Sequence, residues 1–263
     1  VNTTSVPMLA SSVAVTTTSL FSISLLTETT QTLTSKDMNL RIQMFISLIK
    51  DNPNFQKIWL TSEDPEDICL RTETLGFVET QIIGGDKIYR PNKRDAALLR
   101  YYQNNISHLF VLYSIICLAL KYVPKISRNE LDRLVNLVYP YLKQEFYLQW
   151  ETKEISQALK TSLTILITHG IIIEDTEGKL KKPEEYSPTS QLYFALTNLC
   201  ETNIKRFYIV MRTLWTKENI DMADLHKNCL FLAKKLQEQE GGIYSEFTDP
   251  SKFKVFTNKL LED

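Results

Sequence analysis

One order of residues occurs twice in this chain, and it limits the fold more than any other feature. Leu75-Gly76-Phe77-Val78 closes a helical pattern and opens an apolar strand, Gly84-Gly85-Asp86 makes a turn, and Ile88-Tyr89-Arg90-Pro91 returns. The order recurs as His169-Gly170-Ile171-Ile172-Ile173, a turn over Asp175 to Gly178, and Lys179-Leu180-Lys181-Lys182-Pro183, with the two cap glycines 94 positions apart. Glycine supplies the left-handed helix cap, β-branched residues supply the outgoing strand, and a Gly-containing turn closes each hairpin. Helices followed by a small hairpin make a winged-helix-like unit. The expected fold class is therefore mainly α, multi-helical with two small winged-helix-like β-hairpins.

The helical lead-ins follow from spacing. Leu33 to Ile49 reads as a helix with Leu40, Met44, Ile46 and Ile49 apolar, ended by Asp51-Asn52-Pro53-Asn54. A second starts near Ser62 with Pro65 in its first turn and Ile68, Cys69, Thr72 and Leu75 on one face. In the second unit Ser127-Arg128-Asn129-Glu130 is a capping box, with Ile126 and Leu131 as its staple. The stripe Leu131, Leu134, Val135 and Val138 follows, and Pro140 is expected to kink or end that helix. The next helix shows Ile155, Ala158, Leu159, Ser162 and Leu166 on one face.

Asp95 to Tyr122, Thr189 to Trp215 and Asp221 to Gln239 read as longer helices, the last stopped by Gly241-Gly242. Asp249-Pro250 begins another, with Phe253, Phe256, Leu260 and Leu261 apolar; it reads as a third unit that breaks off at Asp263. The expected segments are 1–100 ending in the first hairpin unit, 101–186 with the long helix and second unit, and 187–263 with the C-terminal helices.

Chemistry is scarce. Only 7 glycines argue against a Rossmann fold or a phosphate loop. Net charge of −1 gives no field that recruits nucleic acid or an anionic membrane. Cys69, Cys117, Cys200 and Cys229 have no paired or zinc-like spacing, so reduced thiols and no metal site are expected. The uncharged stretch from Val1 to Thr27 is too rich in Ser and Thr for a membrane span, and the apolar run Ile106 to Leu120 is too short.

Three histidines remain. His226 lies on an amphipathic helix with Lys227 beside it and no obvious carboxylate partner. His169 is followed by Glu174 and Asp175, a near-mimic of the His-x-x-x-x-Asp pair that activates a hydroxyl for acyl transfer. A strand intervenes, however, and carries Glu174 about 15 Å away, beyond hydrogen-bond reach. His108 belongs to the cluster Tyr101-Tyr102-Gln103-Asn104-Asn105-Ile106-Ser107-His108 at the head of an apolar run. On a helix Asn104 and His108 share a face with Tyr101 one turn earlier. Buried polar groups need partners, so a closed polar network docking this helix on another domain is one reading. The other is a face bordering a site completed from outside these residues.

At that point the chain resembles a known family. YYQNNISHLFVLYSIICLALKY (Tyr101 to Tyr122) is similar to a segment in the C-terminal part of membrane-bound glycerol-3-phosphate acyltransferases of the bacterial and mitochondrial type. The similarity continues through ISRNELDRLVNLVYPYLKQEFYLQW, which looks closer to the bacterial enzymes, and more loosely through HGIIIEDTEGKLKKP, QLYFALTNLCETNIKRFYIVMRTLW and EFTDPSKFKVF. SVPMLASSVAV and LGFVET fit as well, so the resemblance is collinear over nearly the whole chain.

The resemblance implies acyl transfer from acyl-CoA or acyl-carrier protein to the sn-1 hydroxyl of glycerol 3-phosphate, giving lysophosphatidic acid for phospholipid synthesis. It places the catalytic His-x-x-x-x-Asp motif upstream of Val1, so no catalytic residue, metal or cofactor is assigned here. These residues would be inactive alone and would support the upstream acyltransferase domain of the same chain, with Tyr101, Tyr102, Asn104 and His108 as a docking face. Membrane association is implied too, at the cytoplasmic face of the bacterial inner membrane or, in a eukaryote, the mitochondrial outer membrane. A winged-helix module binding protein or nucleic acid is the alternative; the charge balance argues against nucleic acid.

Overall fold

A computed structural model describes residues 13–216, 220–239 and 248–262. The side chains of Gln144, Leu260 and Leu261 and the Gly241-Gly242 stop fall outside what it describes. Its elements divide into two compact units, Val1–Leu199 and Cys200–Asp263.

In the first unit a short strand β1 (Ala14–Val15) leads into helix α1 (Thr17–Leu26), every residue of which is buried. This is where the described end of the uncharged, hydroxyl-rich stretch goes. Ser24 and Thr27 donate to the carbonyls of Leu20 and Ile23, so these hydroxyls are satisfied within the helix and can enter a core. Strand β2 (Leu33–Thr34), helices α2 (Ser35–Lys50) and α3 (Pro65–Thr74), and the hairpin β4 (Val78–Ile83) and β5 (Asp86–Pro91) surround it. A two-residue strand β3 (Trp59–Leu60) pairs in parallel with β1. Phe21 of α1 meets Tyr89 of β5 edge to face, centroids 5.5 Å apart.

A second strand–helix–helix–hairpin set follows: β6 (Ile126–Ser127), α6 (Arg128–Phe146), α7 (Ile155–Thr168), β7 (Ile173–Glu174) and β8 (Lys179–Lys181). Both sheets have the same order, β2-β5-β4 and β6-β8-β7, with the leading strand antiparallel to the last. Gly76 and Gly170 both hold positive φ, 77° and 67°, where the chain leaves its helix for the strand. The two hairpins therefore stand where the recurring residues place them. They are unequal: six residues per strand in the first, two and three in the second.

Between the two sets run α4 (Ala96–Ser107), a 3-10 turn (His108–Phe110) and α5 (Val111–Tyr122). Joined together, the 27 residues Ala96–Tyr122 are long and apolar enough to cross a membrane by length and composition, but 78% of the most apolar window is buried inside the protein. A core helix has the same composition as a span.

Some expectations need correcting. Of the two outcomes expected at Pro140, an end is not what the structure shows: α6 continues to Phe146 and stops at Tyr147 in the left-handed region (φ 52°). Tyr139 and Leu142 on either side are fully buried, and that packing offsets the lost backbone hydrogen bond. Leu75 and Leu40 are exposed instead of joining their helices' buried faces. By contrast, Ile155, Ala158, Leu159, Ser162 and Leu166 are all buried on α7.

Helix α8 (Pro188–Thr216) contains the boundary between the two units. In the second unit α9 (Met222–Gln239) and α10 (Pro250–Glu262) pack with the end of α8 around Ile209, Val210, Leu225, Cys229, Ala233 and Phe253. The class is mainly α.

Candidate docking face and the three histidines

α4 presents Tyr101, Asn104 and Asn105 to solvent, Tyr101 at 61% exposure. Tyr102 is half-buried; its ring lies 5.6 Å from that of Tyr101 and 6.1 Å from that of Phe77, which leads into β4. The aromatic contacts make the surface of α4 continuous with the base of the first hairpin.

His108 follows where the helix tightens into its 3-10 turn. Burial holds its imidazole below the ordinary histidine range, so the ring is neutral near pH 7. Its Nε2 is buried and has no hydrogen-bond partner among the described residues. The polar network expected from the sequence does not close on this atom. An unpartnered buried nitrogen costs about 1–3 kcal/mol.

His169 is bonded, though not to its near neighbours in sequence. Its Nε2 lies 2.7 Å from Oδ2 of Asp51, 118 residues upstream. Glu174 instead accepts two hydrogen bonds from Arg128, at 2.8 and 2.7 Å, and Asp175 pairs with Lys125 at 3.1 Å. Both tempting carboxylates are thus paired elsewhere, although the strand that follows His169 is only the two residues Ile173–Glu174 and not the longer one expected.

Beside that pair, Asn52 donates to the Tyr113 hydroxyl at 2.8 Å and Tyr113 donates to the Leu48 carbonyl at 3.1 Å. Ser162 of α7 bonds the same hydroxyl, whose pKa burial raises. The end of α2 is thereby tied to α5 and α7. No spacing rule could find this seam, because its members come from three separated stretches.

In the second unit, His226 Nε2 meets Thr257 Oγ1 at 2.6 Å, joining α9 to α10. The basic hairpin residues are largely engaged: Lys87 with Glu73 at 2.7 Å, Arg90 with Glu79 at 3.0 Å, and Lys179 with Glu130 at 3.5 Å. All four cysteines are free and buried. Among the described residues no cluster of three His, Cys, Asp or Glu side chains is placed to hold a metal ion.

The sequence model of the glycerol-3-phosphate acyltransferase C-terminal region matches residues 9–263. A glycerol-3-phosphate acyltransferase of Pseudomonas fluorescens (strain SBW25) is 24% identical over 248 residues, covering 92% of this chain and 29% of that protein. One from Pseudomonas putida (strain KT2440) is 23% identical over 248 residues, covering 92% of the chain and 30% of the protein. The chain thus spans less than a third of the length of these curated relatives.

Proposed function

The chain belongs to the glycerol-3-phosphate acyltransferase C-terminal-region family, and from that premise we propose that it is the supporting, non-catalytic part of such an enzyme. The reaction is attack of the glycerol 3-phosphate sn-1 hydroxyl on the thioester of acyl-CoA or acyl-carrier protein, giving lysophosphatidic acid and a free thiol. It needs a base beside the hydroxyl and donors at the developing oxyanion. Here His226 is bonded to Thr257, the His108 nitrogen is buried, and the His169–Asp51 pair joins the end of α7 to the end of α2. The chemistry is assigned to the part of the protein N-terminal to this region, at a membrane surface.

The observation that carries the reading is the family match over residues 9–263. Docking is assigned to the α4 face, with Tyr101 and Asn104 exposed, Tyr102 as the aromatic link and the His108 Nε2 awaiting a polar group. The test compares the full-length protein with residues 1–263 in an assay with acyl-CoA and labelled glycerol 3-phosphate. Turnover is expected from the full-length protein only. Equal turnover by both would overturn the non-catalytic assignment, and none from the full-length protein with either donor would overturn the activity.

A further inference from the structure

β4 is the edge strand of the first sheet: among the described residues it pairs only with β5. Five of its six residues are exposed, and Ile82 and Ile83 at its far end are 64% and 53% accessible. Proteins shorten, charge or cover such edges because unpaired N–H and C=O groups recruit other strands. The second hairpin does the first: its edge strand β7 is only Ile173–Glu174. Identical strand order in both sheets shows that this fold does not require the longer edge. The one charge on β4, Glu79, is already paired with Arg90 of its own hairpin, leaving Thr80, Gln81, Ile82 and Ile83 as an uncharged run.

We propose that β4 is a strand-addition site, occupied by an extended segment of the same polypeptide from the part N-terminal to this region. The inference rests on the C-terminal-region reading above and specifies how that docking is made. Two observations select a segment in cis. The curated relatives are more than three times as long as the stretch they share with this chain, so most of such a protein lies outside these residues. The edge is also continuous with the α4 face through Phe77, Tyr102 and Tyr101, so one neighbouring body can cover both. A tethered segment docks at high effective concentration, and six residues of added strand suffice without a large apolar interface. Opposite Ile82 and Ile83 the segment carries apolar or β-branched side chains, as cross-strand pairing favours.

Residue-resolved hydrogen exchange on the full-length protein tests this. A strand bonded on one edge protects alternate amides; a strand bonded on both protects consecutive ones. The expected result is that every amide from Glu79 to Ile82 exchanges at least about tenfold more slowly than a free edge amide. A photo-crosslinking residue in place of Gln81 should then capture a peptide N-terminal to Val1 within the same molecule. Alternating protection with no capture overturns the proposal, as does capture only between isotopically distinct copies. The acylation assay on the same preparation separates the two readings. An active protein with a free edge overturns strand addition alone, and an inactive protein with a covered edge overturns the activity alone.

Discussion

Tyr113 shows how much a single hydroxyl can carry in this chain. It receives the Asn52 amide and donates to the Leu48 carbonyl, both buried. Tyr113→Phe keeps the ring and strips both partners, and groups stranded in that way cost about 1–3 kcal/mol. A drop of that size in denaturant unfolding is expected; an unchanged midpoint would show that the seam contributes nothing net. The neighbouring His169–Asp51 pair is half open to solvent, with side chains 28% and 53% exposed. Pairs of that kind are worth about 0.2–1 kcal/mol. A double-mutant cycle with His169→Gln and Asp51→Asn should return a coupling in that range, and no coupling would show that the contact contributes nothing net. His108 differs from both because its partner is missing. In the full-length protein His108→Ala is expected to lower melting temperature or acyl transfer, and no change in either would remove His108 from the docking face. Of these three residues, His108 and His169 stood out in the sequence, but His169 did so beside carboxylates that are not its partner. The polar cluster of His108 is local, whereas Tyr113 and His169 acquire meaning from partners 61 and 118 positions away.

At the scale of elements the sequence was far more legible, because caps and turns are written in adjacent residues. Ser127 and Glu130 form the expected reciprocal box, and Gly76 and Gly170 take the positive φ that their helix ends need. Glu130 titrates at about 2 rather than its ordinary 4.5, first through the Ser127 hydroxyl, then through the Ser127 amide and the nearby Lys179. Its folded value lies below its unfolded one, so its stabilisation is present above pH 4.5 and is lost as pH falls towards 2. Ser127→Ala should flatten that part of the pH–stability profile, and an unaltered acid limb would count against the box. At Gly170 an added Cβ would meet only Thr189 Cγ2 at 3.7 Å, ordinary contact, so the cost of Gly170→Ala comes from φ of 67°. That penalty is about 1–2 kcal/mol, readable as a lower melting temperature. Pro140 shows the converse: the local rule allows an end or a kink there, and α6 does not end, with Tyr139 and Leu142 buried beside the proline.

For the whole molecule, the same composition supports two opposite destinations for Ala96–Tyr122, and periodicity cannot choose between them. The fold chooses burial: Val111 through Leu120 are all covered, and Tyr193 of α8 donates to the Cys117 carbonyl at 2.9 Å. A helix seated in lipid would bring its outward face to the acyl chains, while a core helix is covered on all sides by protein. Cys117 reports which holds, since burial raises its thiol pKa and shuts out reagents. In the full-length protein reconstituted into vesicles, a lipid-soluble carbene label should miss residues 111–120, and Cys117 should react with a maleimide only after denaturation. Labelling of that segment under native conditions would make the helix a span and undo the core described for the first unit. On the docking reading proposed above, this region would offer the β4 edge and the α4 face to the rest of its polypeptide while Ala96–Tyr122 stays in its core.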